Sequence, residues 1–176
     1  MDAARLDELA LAYVARFATS RAKLTRYLAR KVRESEWQSD TDAVAACEAV
    51  ADRMERLRFL DDRQYAAMRA GAMTRRGLGV RRVKAQLFVD GIADADSGEA
   101  IAEAEERALA AAAGFARRRR FGPFATRAAD DPAQRERQVA AFVRAGHAPA
   151  LARRILAIAP GDDAALAALD GEAALD

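Results

Sequence analysis

The feature that most constrains this chain is a short pattern that occurs three times, at residues 20–28, 79–87 and 148–156, with offsets of 59 and 69 residues. An apolar residue stands four places after each start (Leu24, Val83, Ala152) and again at eight (Leu28, Leu87, Leu156). An arginine stands four places before each start (Arg16, Arg75, Arg144). Spacings of four and eight share one face of a helix, so the pattern predicts a buried stripe. Each copy of a small helical unit leaves a face that its neighbour must cover, which points to an extended array. Such an array favours a surface that reads another macromolecule over a pocket that does chemistry.

Composition agrees with helices throughout. Apolar residues make up 52% of the 176 positions and aromatics only 6%. Much of the apolar share is alanine, which packs helices closely but adds little buried area. The core must therefore come from Leu, Val, Phe, Tyr and Met. The expected fold is all-α: an elongated array of three tandem three-helix, helix-turn-helix-like repeats. Its expected divisions are a first unit at 1–57, a second at 58–112, a third at 113–160 and an acidic, disordered tail at 161–176.

Local signals place the helices. The first is expected from about Arg5 to Phe17, and Thr19 or Ser20 can cap the second. Ser39, Asp40 and Asp42 announce a third, which carries Val44, Cys47, Val50, Met54 and Leu57. Asp61 with Gln64 three places on suggests a capping box. Gly77 and Gly79 break that helix, and Asp90-Gly91 ends the next. One long helix is expected from about Asp94 or Asp96 to Arg119, stopped by Phe121-Gly122-Pro123. Asp131-Pro132 restarts helix, Gly146 stops it, and Pro149 opens the last one.

The net charge of +2 conceals an uneven distribution. Seven basic residues and no acid lie between Arg16 and Arg33, six and no acid between Arg69 and Lys84, and four arginines run from Arg117 to Arg120. Asp162, Asp163, Asp170, Glu172 and Asp176 follow Gly161 without a base. A basic body with an acidic tail fits a polyanionic or acidic partner.

Several function classes find no support. One cysteine makes no internal disulfide, and Cys47 falls on an apolar stripe, where a small core residue is expected. The lone His147, beside Pro149, reads as a loop or capping residue. No paired catalytic carboxylates, phosphate-binding loop, Ser/His/Asp set or metal-ligand spacing occurs, so neither an enzyme nor a cofactor or metal is expected. The start lacks a basic-then-apolar leader and no apolar run approaches the roughly 18 residues of a membrane span, so a cytoplasmic protein off the membrane is expected.

The 75–84 segment is the foremost binding candidate. Two glycines permit a sharp turn, and Arg75, Arg76, Arg81, Arg82 and Lys84 flank them where a helix start cannot bury them. Their forks suit phosphates or carboxylates. Arg117, Arg118, Arg119 and Arg120 are second, although four consecutive residues fan around a helix and one or two should snorkel or pair with acids such as Glu105 and Glu106. The face carrying Arg21, Lys23, Arg26 and Arg30 is third, with Arg21 and Arg26 its candidate contacts. Trp37 and Tyr65 read as core or linker anchors rather than stacking platforms.

Together these residues resemble the RecX regulatory family. The likeness rests on residues 59–66 (Phe-Leu-Asp-Asp-Arg-Gln-Tyr-Ala), 75–87, 118–122 and 143–156, with Tyr13 and residues 20–24 similar to the family's N-terminal motif; it spans about residues 6–158 in order. The resemblance implies three tandem three-helix units that bind the RecA recombinase filament along its groove, restrain its ATPase and strand exchange, and limit filament growth or promote disassembly. For some members it also implies direct binding of single- or double-stranded DNA; a monomer is expected. The sequence departs from the family pattern at Lys23, where an acid is usual, at Ala148-Pro149, which replaces a polar helix start, and in the tail after Pro160. Read without the resemblance, the chain is a basic helical array, and a repeat protein that grips nucleic acid directly, or a structural helical adaptor, is its alternative.

Overall fold

The computed structural model describes residues 1–129 and 131–173, with side chains to residue 169. Among the described residues there are ten α-helices, a short 3-10 turn and no strand: α1 (Ala3–Arg16), α2 (Arg21–Arg33), α3 (Ala43–Arg56), α4 (Asp62–Arg75), α5 (Val80–Asp90), α6 (Asp94–Glu106), α7 (Ala108–Arg119), α8 (Pro132–Arg144), α9 (Pro149–Leu156) and α10 (Asp163–Ala173). No described helix is long and apolar enough to cross a membrane.

Helix starts follow the caps in the sequence. Asp2, Ser20, Asp42 and Asp131 each accept an amide of the first turn, and Asp61 accepts from the Gln64 amide at 2.8 Å. Such caps satisfy donors that the helix itself leaves orphaned. Helices α4, α5 and α8 end on a left-handed Gly77, Gly91 or Gly146, with the following amide bonded five residues back, a Schellman closure. Helix α7 closes the same way through Arg120, at φ 56°, where a side chain costs what glycine would not.

The chain forms two compact units, each drawing on separated segments: Met1–Ala67 with Leu87–Ser97, and Met68–Gln86 with the chain from Gly98 onward. In the first, α1, α2 and α3 close on Leu6, Ala10, Leu24, Leu28, Ala46, Cys47, Val50 and Met54. Burial pushes the Cys47 thiol above its ordinary value, helped by nearby Glu48 and Asp42, so it stays a protonated core residue. In the second, α7, α8 and α9 close on Phe115, Val139, Phe142, Ala152 and Ile155, with Phe115 and Phe142 tilted at a centroid distance of 4.9 Å.

Two expectations change. The single helix expected up to Arg119 is two helices, separated at Arg107, which leaves helical geometry at φ −92°, ψ 10°. Glu103, Glu105 and Glu106 crowd the end of α6, where the helix dipole disfavours acids, and Arg107 answers with an ion pair to Glu103 at 2.8 Å. The tail expected to be disordered carries α10. Asp162 accepts from the Ala165 amide at 2.9 Å, the run after it is rich in strong helix formers, and Leu169 packs on the second core. The acidic side chains of Asp170, Glu172 and Asp176 lie outside the described residues.

Candidate interaction surface

The 75–84 segment leaves α4, turns at Gly77 and enters α5, and its backbone is clamped against the turn between α8 and α9. The Gly79 amide donates to the Ala145 carbonyl at 2.9 Å, and the Arg81 amide to the Gly146 carbonyl at 3.1 Å. Two backbones in such contact leave no volume for side chains: a Cβ at Gly79 would stand 2.5 Å from the His147 amide nitrogen, and one at Gly146, 2.5 Å from the Arg82 nitrogen. Gly146 also sits at φ +96°, a conformation that L side chains rarely adopt.

A second tie comes from His147, 2% exposed, whose Nε2 lies 3.0 Å from the Gly77 carbonyl oxygen. A carbonyl only accepts, so Nε2 carries the proton and Nδ1 is the bare nitrogen. Nδ1 has no hydrogen-bond partner among the described residues. Burial holds the imidazole below its ordinary pKa, and the neighbouring Arg118 charge adds to that, so the neutral ring is the one that fits. The loop or capping role expected for His147 is thus a buried one. A third tie is Arg118, whose Nη2 donates to the Arg76 carbonyl.

On this fixed backbone the candidate cations divide. Arg81 and Arg82 are exposed on the first turn of α5, and neither forms an ion pair among the described residues. Arg75 and Arg76 are exposed too, with the Arg75 guanidinium lying back over Gly71. Lys84 is paired with Glu105 at 2.8 Å. Arg117 lies over the Phe124 ring at 4.8 Å and Arg119 over Phe115 at 5.7 Å, so this block uses ring faces rather than the acids of α6. Arg120 is the left-handed residue that ends α7.

Arg21 and Arg26 belong to the first unit. Arg21 contacts Glu48 and Asp52 of α3, each at 2.7 Å, and its amide donates to Asp62 at 2.8 Å. Arg26 donates to the carbonyls of Ala22 and Val89. Tyr65 is buried as expected, donating to Asp90 at 2.9 Å while accepting from Lys23 at 3.0 Å. That chain gives the unusual Lys23 a structural partner. Sequence reasoning missed Gly146 and His147 as the clamp; the only local hint was a Gly-His pair directly before a helix start.

Among the described residues no cluster of His, Cys, Asp and Glu could hold a metal ion. Fold and site define an all-helical protein with an arginine-bearing turn fixed by backbone contacts. No family model matches the chain. The regulatory protein RecX of Myxococcus xanthus (strain DK1622) is 30% identical over 156 residues, 86% of this chain and 83% of that protein. The chain belongs to the RecX family of regulatory proteins.

Proposed function

We propose that this protein binds the RecA–DNA filament and restrains its ATPase, strand exchange and growth, with Arg76, Arg81 and Arg82 as the foremost contacts and Arg117–Arg120 next to them in rank. Family membership supports the partner. The observation that carries the site is that Arg81 and Arg82 are exposed and, among the described residues, without an ion pair, on a backbone clamped by Gly79 and Gly146, because a backbone that is already fixed has less freedom to lose on binding. Lys84, Arg21 and Arg26, like Arg117, Arg118 and Arg119, rank below Arg76, Arg81 and Arg82, since each already has a partner within the fold.

The architecture we propose is three tandem three-helix units at 1–57, 58–112 and 113–160, followed by the acidic 161–176 tail. It is supported by α2, α5 and α9 each beginning one residue after the aligned starts, and by full burial of Leu24, Val83 and Ala152. The protein acts, on this reading, as a cytoplasmic, non-enzymatic monomer.

The test is the RecA ATPase rate on single-stranded DNA with the protein titrated in below one per RecA monomer. Inhibition is expected there, and the Arg81→Ala/Arg82→Ala double variant is expected to weaken it at least about tenfold in half-inhibiting concentration, with stability changed by less than about 0.5 kcal/mol. Equal inhibition by the double variant would remove the turn from the mechanism. Inhibition that merely follows coating of the DNA would favour direct nucleic-acid binding instead.

A further inference from the structure

The second unit also carries a groove that the arginine turn does not use. It lies between the 125–129 stretch, one face of α8 and the end of α9, and holds about 530 Å³, the size of pockets that take a small organic ligand. Local contacts fix its walls. The Ala125 amide donates to the Gly122 carbonyl and closes the 3-10 turn at Gly122–Phe124, and the Gly161 amide donates to the Pro123 carbonyl at 2.9 Å. Arg135 Nε reaches from α8 to the Ala129 carbonyl at 2.7 Å. The groove is thus open in a backbone that is already tied down.

Its lining is apolar with polar groups at a few points. Val139 and Ile158, both buried, give it an apolar floor. Gln138 lines it too and is only 9% exposed, yet its carboxamide has no hydrogen-bond partner among the described residues. A carboxamide both donates and accepts, and leaving it unmatched away from bulk water costs free energy, so this group is set for a partner that the fold does not supply. Arg153 lines the groove without an ion pair among the described residues, and Arg135 commits only its Nε there, which leaves its terminal nitrogens open. Against these two cations stands one carboxylate among the described lining residues, the exposed Glu136.

We propose that this groove binds an extended peptide segment of a protein partner, one that carries an apolar side chain beside an acidic one. Gln138 meets the peptide backbone, accepting from a main-chain N–H and donating to a C=O. The apolar side chain rests on Val139 and Ile158, and Arg153 with Arg135 holds the carboxylate in charge-assisted hydrogen bonds. A nucleic-acid strand is a poorer match, because its phosphates would pass Glu136 and lose hydration over an apolar floor. A neutral ligand would leave both guanidinium groups unused. The site shares no residue with the 75–84 turn, so the two can fail independently.

The experiment is an NMR titration of the full chain, read at its backbone amides, with the end-blocked peptide Ala-Leu-Glu-Leu-Ala. Versions with Gln for Glu or with Ser for both Leu, and an oligothymidylate, are run alongside. Saturable shifts at the amides of Ala129, Val139 and Ile158 are expected, with Kd below about 1 mM. Gln138→Leu is expected to raise Kd at least about fivefold while the melting temperature stays equal or rises, because the free fold loses no hydrogen bond. A merely structural Gln138 would show the reverse, a lower melting temperature with unchanged Kd. Arg153→Gln and the Gln-for-Glu peptide are each expected to weaken binding at least about threefold, and together by less than the product of the two, since both remove one contact. Arg81→Ala/Arg82→Ala is expected to leave this binding unchanged. No saturable shift at these amides, equal binding of the Ser peptide, tighter binding of oligothymidylate at the same amides, or a Gln138→Leu chain that binds as before would overturn the proposal.

Discussion

The basic face of α2 and the arginine turn that leads into α5 occupy equivalent places in the repeated pattern and are built in different ways. At the first aligned start stands Ser20, whose side chain does the fastening: its Oγ donates to the Asp90 carbonyl at 2.6 Å and accepts from the Lys23 amide. At the second start stands Gly79, which has no side chain and fastens through the main chain alone, amide to Ala145 and crossing to Gly146. Side-chain fastening tolerates small changes, because a lost contact can be replaced by water or by a neighbour. A backbone crossing tolerates none, because any added atom meets main chain that cannot swing aside. The arginine turn of the second unit is thus the more rigid surface, and the basic face of α2 is the more adaptable.

Exchanging the two residues is the sharpest way to break this comparison. Gly79→Ser is expected to destabilise the protein by about 3 kcal/mol or more, because its Cβ would meet the backbone of Gly146 and His147; urea unfolding read by circular dichroism measures it. A loss under about 1 kcal/mol would mean that the crossing yields, and the contrast would go with it. The reverse change, Ser20→Gly, is expected to cost only about 1 to 2 kcal/mol, the worth of one buried hydrogen bond, since glycine is itself an adequate cap.

A smaller and pH-dependent effect belongs to the second unit alone. His147 is held neutral in the fold, with its pKa depressed by burial, so the unfolded chain takes up a proton that the folded chain refuses. Stability is fully present above the ordinary imidazole value of about 6.5 and is lost as pH falls from there toward the folded pKa, by at most about 1.4 kcal/mol per pH unit. Thermal melts at pH 7.5 and 5.5 should show that loss in the native protein, beyond whatever a His147→Gln variant shows, because Gln keeps an N–H for the Gly77 carbonyl but does not titrate. Parallel shifts in the two proteins would assign the effect to other groups.

Much of this was legible along the chain because its causes are local. Helix starts at Ser20, Asp42, Asp61, Asp131 and Pro149 follow from caps and from proline at the first turn, and helix ends from Gly77, Gly91 and Gly146. The fully buried Leu24, Val83 and Ala152 came from a spacing of four. The break at Arg107 was not legible, since nothing in an Ala- and Glu-rich run marks one residue for departure. Helix α10 was missed because acidic composition was weighed above the alanine and leucine content that drives the helix and its Leu169 contact.

The sequence by itself determined the class of fold, the family and the three stretches where cations concentrate, because propensity, capping and charge act within a few residues. Only the tertiary structure decided which of those cations are available. Arg21 and Lys84 meet carboxylates 21 to 31 residues away in the chain, Arg117 and Arg119 meet rings, and Arg81 and Arg82 meet none of these among the described residues. It also decided that Gly79 and His147, 68 residues apart in sequence, fix one turn together. Such pairings depend on which helix ends are brought side by side, and a spacing pattern read along one helix carries no information about its neighbour.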